Sequence, residues 1–162
     1  MFTDVFKLNM DSGSGHSKNI RRHGKAPDTR VSGGVRQSRA MNKIIAWFEI
    51  PALQIERARA FYQQILQLEL RVEAIGPNTL AVFPYDRESA TGGCLMAGEH
   101  YRPSTDGATV YLNAGNELNT VLARVAAAGG KVLLPRTELP PGMGAFAHIL
   151  DTEGNRVGLF GN

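Results

Sequence analysis

Residues 43–68, KIIAWFEIPALQIERARAFYQQILQL, contain the pattern that decides the fold. Residues 43–51 are rich in β-branched and aromatic side chains, which predicts a strand. Residues 55–68 place their apolar side chains at helical spacing, which predicts an amphipathic helix directly after the strand. The pair Phe61-Tyr62 lies on the apolar side of this helix and is expected to pack in the core.

Three short strands are predicted after the helix. They cover residues 70–75, 80–85 and 94–97. Gly76 and Pro77 mark a turn between the first two, because both residues favour turn conformations. The sequence therefore predicts one βαβββ module over about residues 43–98.

The same order of elements recurs in the second half. A strand over 109–114 is followed by a helix over 117–128, which Gly129 and Gly130 end as a C-cap. Three further strands are predicted at 132–134, 145–150 and 157–160. This second module covers about residues 108–161. We therefore predict an α+β fold in which two βαβββ modules form a cup-shaped mixed sheet with helices on its outer face.

Charge divides the chain at about residue 40. Residues 1–40 hold eight Lys/Arg and three Asp, a net of +5, whereas residues 41–162 hold ten Lys/Arg and twelve Asp/Glu, a net of −2. The first segment lacks apolar periodicity, so we predict a disordered basic leader: a natural arm, an added leader, or residues ahead of a true start at Met41. Residues 41–162 are predicted to form a single domain, and its charge gives no support for a nucleic-acid surface.

The apolar runs are too short for a membrane protein. No run reaches about 18 residues, the length of a membrane-spanning helix. Charged residues interrupt the N-terminus where a signal peptide would need an apolar segment. We therefore expect a cytoplasmic protein without a membrane partner. Cys94 is the only cysteine, which excludes an internal disulfide and a cysteine-cluster metal site.

Two motifs resemble the vicinal oxygen chelate superfamily of glyoxalases, bleomycin-resistance proteins and dioxygenases. The first is WFEIP at 47–51 followed by RARAFY at 57–62, and the second is DTEGNRVGL at 151–159. The resemblance implies paired modules whose cup holds a divalent cation on His, Gln and Glu side chains. It also implies a small-molecule ligand and a homodimer, because members often assemble cups across subunits.

This sequence departs from the family pattern at the metal. The resemblance places the ligand positions at Trp47, near Gly93-Cys94, near Thr109 and at Gly158. Indole and glycine side chains cannot bind a cation, so we expect no metal at the usual position and no cofactor. An atypical divalent metal site stays open as an alternative.

Strand alternation assigns side chains to the two faces of each strand. Trp47 and Glu49 share one face of the first strand, and Tyr111 and Asn113 share one face of the fifth. Trp47 and Tyr111 offer flat surfaces for a planar ligand, or simply fill the cup. The other predicted ligand-binding residues are Asn113, Arg156 and Phe160.

Glu49 and His148 are the candidate catalytic residues, because a carboxylate and an imidazole can each move a proton. Glu49 is interpreted either as a base that pairs with His148 or as a solvated carboxylate. His148 is either an acid, base or ligand contact, or an exposed strand residue without a chemical role.

Two functions follow from these residues. The first is a metal-independent protein that binds a small aromatic or amphipathic molecule in the cup. The alternative is a lyase- or isomerase-like enzyme in which Glu49 or His148 transfers a proton, with or without an atypical metal. The missing metal ligands favour the binding protein.

Overall fold

The computed structural model describes residues 44–162, so the predicted leader over 1–40 lies outside the described residues. The first module contains β1 (Trp47–Pro51), α1 (Ile55–Leu66), β2 (Arg71–Ile75), β3 (Asn78–Val82) and β4 (Gly92–Ala97). The second contains β5 (Tyr111–Gly115), α2 (Leu118–Val125), β6 (Lys131–Glu138), β7 (Ala145–Leu150) and β8 (Arg156–Gly161). The predicted α+β fold of two βαβββ modules is confirmed.

Each module forms its own four-stranded mixed sheet. The strand orders are β1-β4-β3-β2 and β5-β8-β7-β6. In both sheets the first strand is parallel to the last, and the remaining pairs are antiparallel. A helix makes the crossover after each first strand, as parallel pairing requires.

Several element boundaries differ from the sequence prediction. The helix α2 ends at Val125, whose carbonyl accepts a hydrogen bond from the Gly130 N–H at 2.9 Å. Gly129 follows the helix with φ +93°, a conformation that glycine adopts without strain. The strand β6 is longer than predicted, because its pairing with β7 continues past Pro135 through a register irregularity.

The two helices pack on one face of both sheets and create a common core. Phe61 and Tyr62 are fully buried in it, as predicted. Phe48 and Ile50 of β1 face this core, as do Val157 and Leu159 of β8. The face opposite the helices is called the open face below.

The turn between β7 and β8 joins the modules through Asp151. One carboxylate oxygen accepts hydrogen bonds from the backbone N–H groups of residues 153–155 at 2.8–2.9 Å. The other accepts from the Tyr62 hydroxyl of α1 at 2.7 Å and from Asn155 Nδ2 at 2.8 Å. Protein donors thus occupy both oxygens of this carboxylate, and the bonds to the backbone N–H groups hold the turn.

Glu153 makes a second connection from the same turn to the start of α1. One oxygen accepts the backbone N–H groups of Leu53 and Gln54 at 2.8 and 2.9 Å. The other accepts Arg57 Nε at 2.7 Å. The glutamate thus satisfies donors at the helix N-terminus that no helical carbonyl can reach.

None of the helices in residues 44–162 is long and apolar enough to cross a membrane.

Candidate functional site

The open face of the first sheet is covered by the chain itself. Leu80, Val82, Cys94 and Met96 form a buried cluster there, against which Trp47, Tyr85 and Tyr101 pack. The Trp47 and Tyr85 rings meet edge to face with their centroids 5.7 Å apart. We call this group the Trp47 cluster. Since side chains from the following loops pack against it, Trp47 is only partly exposed.

Cys94 is an inert member of the Trp47 cluster. Burial raises the pKa of its thiol to about 12, and the charge of Glu49 acts in the same direction. The nearby Trp47 indole N–H lowers the pKa of the thiol, but by less than burial raises it. Because thiolate is the nucleophilic form of cysteine, this environment does not support nucleophilic catalysis.

Glu49 faces Tyr101. Burial raises the pKa of the Tyr101 hydroxyl, and the charge of Glu49 and a hydrogen bond to it raise the pKa further. Within the described part of the chain, no hydrogen bond or ion pair joins Glu49 to His148. The structure therefore gives each of these two residues a different partner.

The second sheet exposes a group of aromatic side chains on its open face. Tyr111, Phe146 and His148 pack together, with ring centroids 5.6–6.1 Å apart. Phe160 pairs with Phe146 across β7 and β8. Tyr111 and Phe160 remain 48% and 38% exposed. We call these four residues the aromatic face, and it offers planar apolar surface that solvent can reach.

His148 has a partner that sequence reasoning did not identify. Its Nε2 lies 2.8 Å from the Tyr111 hydroxyl, and which group donates depends on the histidine tautomer. The register explains the contact, because Tyr111 and His148 both pair with Gly158. A hydroxyl and an imidazole in contact can share and move a proton.

Two aromatic rings, one in each sheet, lie directly over a glycine of the neighbouring strand. Trp47 is paired with Gly92, which is next to the Gly93-Cys94 position that the resemblance implies. A Cβ atom on Gly92 would lie 2.6 Å from the Trp47 ring. In the second module Tyr111, and not Thr109, is paired with Gly158, and its ring would overlap a Cβ there.

These four positions do not fit the metal that the family resemblance implies. Two of them carry no side chain, and the rings of Trp47 and Tyr111 occupy the space that ligating side chains would need. Elsewhere in residues 44–162, no group of three or more His, Cys, Asp or Glu side chains could hold a metal ion.

Asn113 is paired with Phe160 at the edge of the aromatic face, whereas Arg156 lines a different space. Arg156 lines a cavity of about 220 Å³, together with residues 49–51 of β1 and residues from the connection over 102–110. We call it the seam cavity, because the two modules meet there. The Asn113 side chain accepts the Gly115 backbone N–H at 2.8 Å, so it stabilises its own turn.

Sequence reasoning missed Phe146, Tyr85 and Tyr101. Phe146 could have been found, because it lies two residues before His148 and shares its strand face. Tyr85 and Tyr101 could not, since both come from irregular segments whose direction no periodicity predicts.

Paired βαβββ modules of mixed sheet, each with one crossover helix, place the chain among α+β proteins with a duplicated module. A family model described as the Glyoxalase/Bleomycin resistance protein/Dioxygenase superfamily matches residues 44–159, and the chain belongs to this superfamily. A search of curated proteins found no match.

Solved structures share the fold at low identity. A mutant glyoxalase I from Zea mays is similar at 23% identity and a TM-score of 0.57, over 72% of this chain and 45% of that one. Glyoxalase I from Leishmania major, described as trypanothione-dependent, is similar at 18% identity and a TM-score of 0.54, over 74% and 86% of the two chains. The fosfomycin resistance protein FosX from Listeria monocytogenes is similar at 15% identity and a TM-score of 0.54, over 75% and 93%. The chain spans less than half of the maize enzyme, and at these identities the likeness shows the fold alone.

Proposed function

We propose that this domain binds a small aromatic or amphipathic molecule on the aromatic face, without the divalent metal common in its superfamily. The observation that carries the proposal is the exposed, mutually packed group of Tyr111, Phe146, His148 and Phe160. Flat rings provide large apolar contact at low entropic cost, and the Tyr111–His148 pair adds a polar group that can orient a ligand.

The glycine–ring pairs support metal independence. Cations of this kind need imidazole or carboxylate ligands on converging strands. The corresponding strand positions here hold Trp47 over Gly92 and Tyr111 over Gly158. The Tyr111 ring, which would block a metal in the second module, is also part of the aromatic face, so there the two parts of the proposal have one physical cause.

A second copy of the chain is part of the proposal. The aromatic face is open on one side. The exposed Met143 lies close to this side, because the Phe160 ring contacts the neighbouring residue, Gly144. Exposed apolar surface of this kind marks an interaction site. A homodimer would cover this edge and leave the ring faces for the ligand.

The binding proposal is tested with 2-naphthol, a neutral amphipathic aromatic molecule. Phe160→Ala removes ring surface and should weaken binding roughly tenfold, the effect of losing about 1.4 kcal/mol. Isothermal calorimetry on the whole chain measures this. Leu53→Ala is the matched control, because Leu53 is an exposed apolar residue outside the aromatic face. Equal affinities in all three proteins would remove the aromatic face as the site.

The metal-free part of the proposal predicts that the purified chain contains no stoichiometric metal. Titration with Zn²⁺, Ni²⁺, Mn²⁺ or Fe²⁺ should leave its melting temperature unchanged, because a ligand stabilises only a folded state that binds it. Elemental analysis and thermal unfolding provide the measurement. A tightly bound ion would contradict the proposal, and His148 would be the first candidate ligand to substitute.

One observation favours an enzyme as the second candidate. The contact of 2.8 Å between Tyr111 and His148 is the geometry of a proton-transfer pair. In a lyase- or isomerase-like reaction His148 would accept the proton, and Glu49 would be the other candidate base. Turnover of a bound ligand that His148→Gln abolishes, while binding persists, would decide for the enzyme.

A further inference from the structure

We propose that the seam cavity is a separate binding site for a small oxyanion, a carboxylate or phosphate group, held by Arg156 and Arg102. This site goes beyond the proposed function, because it requires no aromatic ligand. Tyr111, His148 and Phe160 are not among the residues that line the cavity.

Arg156 provides the first observation. Its Nε is buried and makes no hydrogen bond to any residue of 44–162. Among residues 44–162 its guanidinium makes one hydrogen bond, a long one of 3.4 Å from Nη2 to the carbonyl of Gly107. A guanidinium is always charged, and a buried charged donor without an acceptor is costly. Arg156 also lines the cavity, where its remaining N–H groups can meet an acceptor.

Arg102 provides the second observation in support of an anion site. Its exposed side chain lines the same cavity and forms no hydrogen bond or ion pair within the described residues. Two guanidinium groups around one space repel each other unless an anion lies between them. The forked donors of arginine match the two oxygens of a carboxylate or phosphate.

Two carboxylates also line the cavity, but they leave Arg156 unsatisfied. Glu49 and Asp106 form no ion pair within 4.0 Å of either arginine, as far as residues 44–162 are concerned. Glu49 instead faces the Tyr101 hydroxyl, and Asp106 lies on an exposed segment. These acids restrict the occupant to a compact group placed directly between the arginines.

The size of the cavity agrees with such a group. Its volume of about 220 Å³ is below the roughly 300–1,000 Å³ typical of drug-sized ligands. A carboxylate or phosphate with a few attached atoms would fill it, whereas a large aromatic molecule would not.

The test is an NMR titration of the whole chain labelled with ¹⁵N. Sodium phosphate and sodium acetate are added in separate experiments, with chloride adjusted to hold the ionic strength constant. We expect the Arg156 Nε–H signal and the amides of residues 102–108 and 155–157 to shift and saturate. Comparing the two salts distinguishes a phosphate site from a carboxylate site. Linear, unsaturated shifts with both salts would overturn the proposal.

Charge-neutralising variants locate the site. Arg156→Gln and Arg102→Gln should each weaken the tighter of the two anions at least about tenfold. Arg136→Gln is the matched control, since it removes the same charge from a surface pair with Glu138. If Arg156→Gln fails to fold, Arg102→Gln decides alone, because that exposed side chain has no partner to lose. Equal weakening in all variants would show a diffuse charge effect and refute the site.

Discussion

Tyr62 and Asp151 show how a single hydroxyl can join two modules. The hydroxyl is buried on α1 and donates to a carboxylate on the β7–β8 turn at 2.7 Å. Burial raises the pKa of Tyr62 well above its ordinary value, and the charge of Asp151 adds to the shift. Both effects favour the protonated hydroxyl, which is the form that donates to Asp151.

Tyr62→Phe should destabilise the protein by about 2 kcal/mol, because a buried bond to a charged acceptor is lost while the ring remains. Urea unfolding measures the free energy. Tyr85→Phe is the control, since the Tyr85 hydroxyl makes no hydrogen bond within residues 44–162 and its removal should change little. A similar loss in both variants would mean that the Tyr62–Asp151 bond has no special role.

The face of each strand residue could be predicted from alternation, but its surroundings could not. Phe48, Ile50, Val157 and Leu159 pack in the core as the period of two requires. Alternation left open whether Glu49 meets His148, because partners depend on register and on loops. In the structure Glu49 faces Tyr101, a residue from an irregular segment. Tyr111 contacts His148 because both are paired with Gly158.

At the scale of elements, the start of α1 is fixed by a residue far along the chain. Gln54, its N-cap residue, makes no capping bond with its own side chain. Glu153 takes that role and also contacts Arg57. Burial alone would raise the pKa of this carboxyl, but the hydrogen bond from Arg57 and the two backbone N–H groups outweigh it and lower the pKa overall.

A lowered pKa in the folded state makes stability depend on pH. The contribution of Glu153 is fully present above its unfolded pKa, ordinarily near 4.5, and is lost as pH falls through the lower folded value. The difference in unfolding free energy between the wild type and Glu153→Gln should therefore shrink on acidification below about pH 4.5. Denaturant titrations between neutral and acid pH measure it. A difference that stays constant would contradict the assigned cause.

The elements themselves could largely be read from the sequence, whereas their ends could not. Helical spacing and alternation indicated both modules in the right order. The strand β6 extends to Glu138 because it pairs with β7 on both sides of Pro135. A proline in a strand pattern argues against such an extension, so the sequence did not predict it. The strand β5 begins at Tyr111 and not at residue 109, because its pairing with β8 starts there, opposite Gly158.

At the scale of the whole molecule, the modules share a connectivity but differ in what covers their open faces. Tyr85 and Tyr101 pack against the Trp47 cluster, while no loop side chain from residues 44–162 packs over the aromatic face in the same way. This asymmetry could not be predicted from two similar element patterns, because it arises in the connections.

The open edge of the aromatic face predicts a dimer, with twice the chain mass of 17.6 kDa in sedimentation equilibrium. Met143→Glu should shift the population towards monomer, because a charge would be buried at the contact. Leu53→Glu places the same charge on another exposed apolar residue and should leave the mass unchanged. A wild-type monomer at all concentrations would exclude the second copy.

The placement of Trp47 has a spectroscopic consequence. It is the only indole in the chain, and it lies inside the first module against Tyr85. Its emission therefore reports the packing of the Trp47 cluster. Because the chain holds no second indole, a shift in that emission on unfolding can be assigned to this one position in the first module.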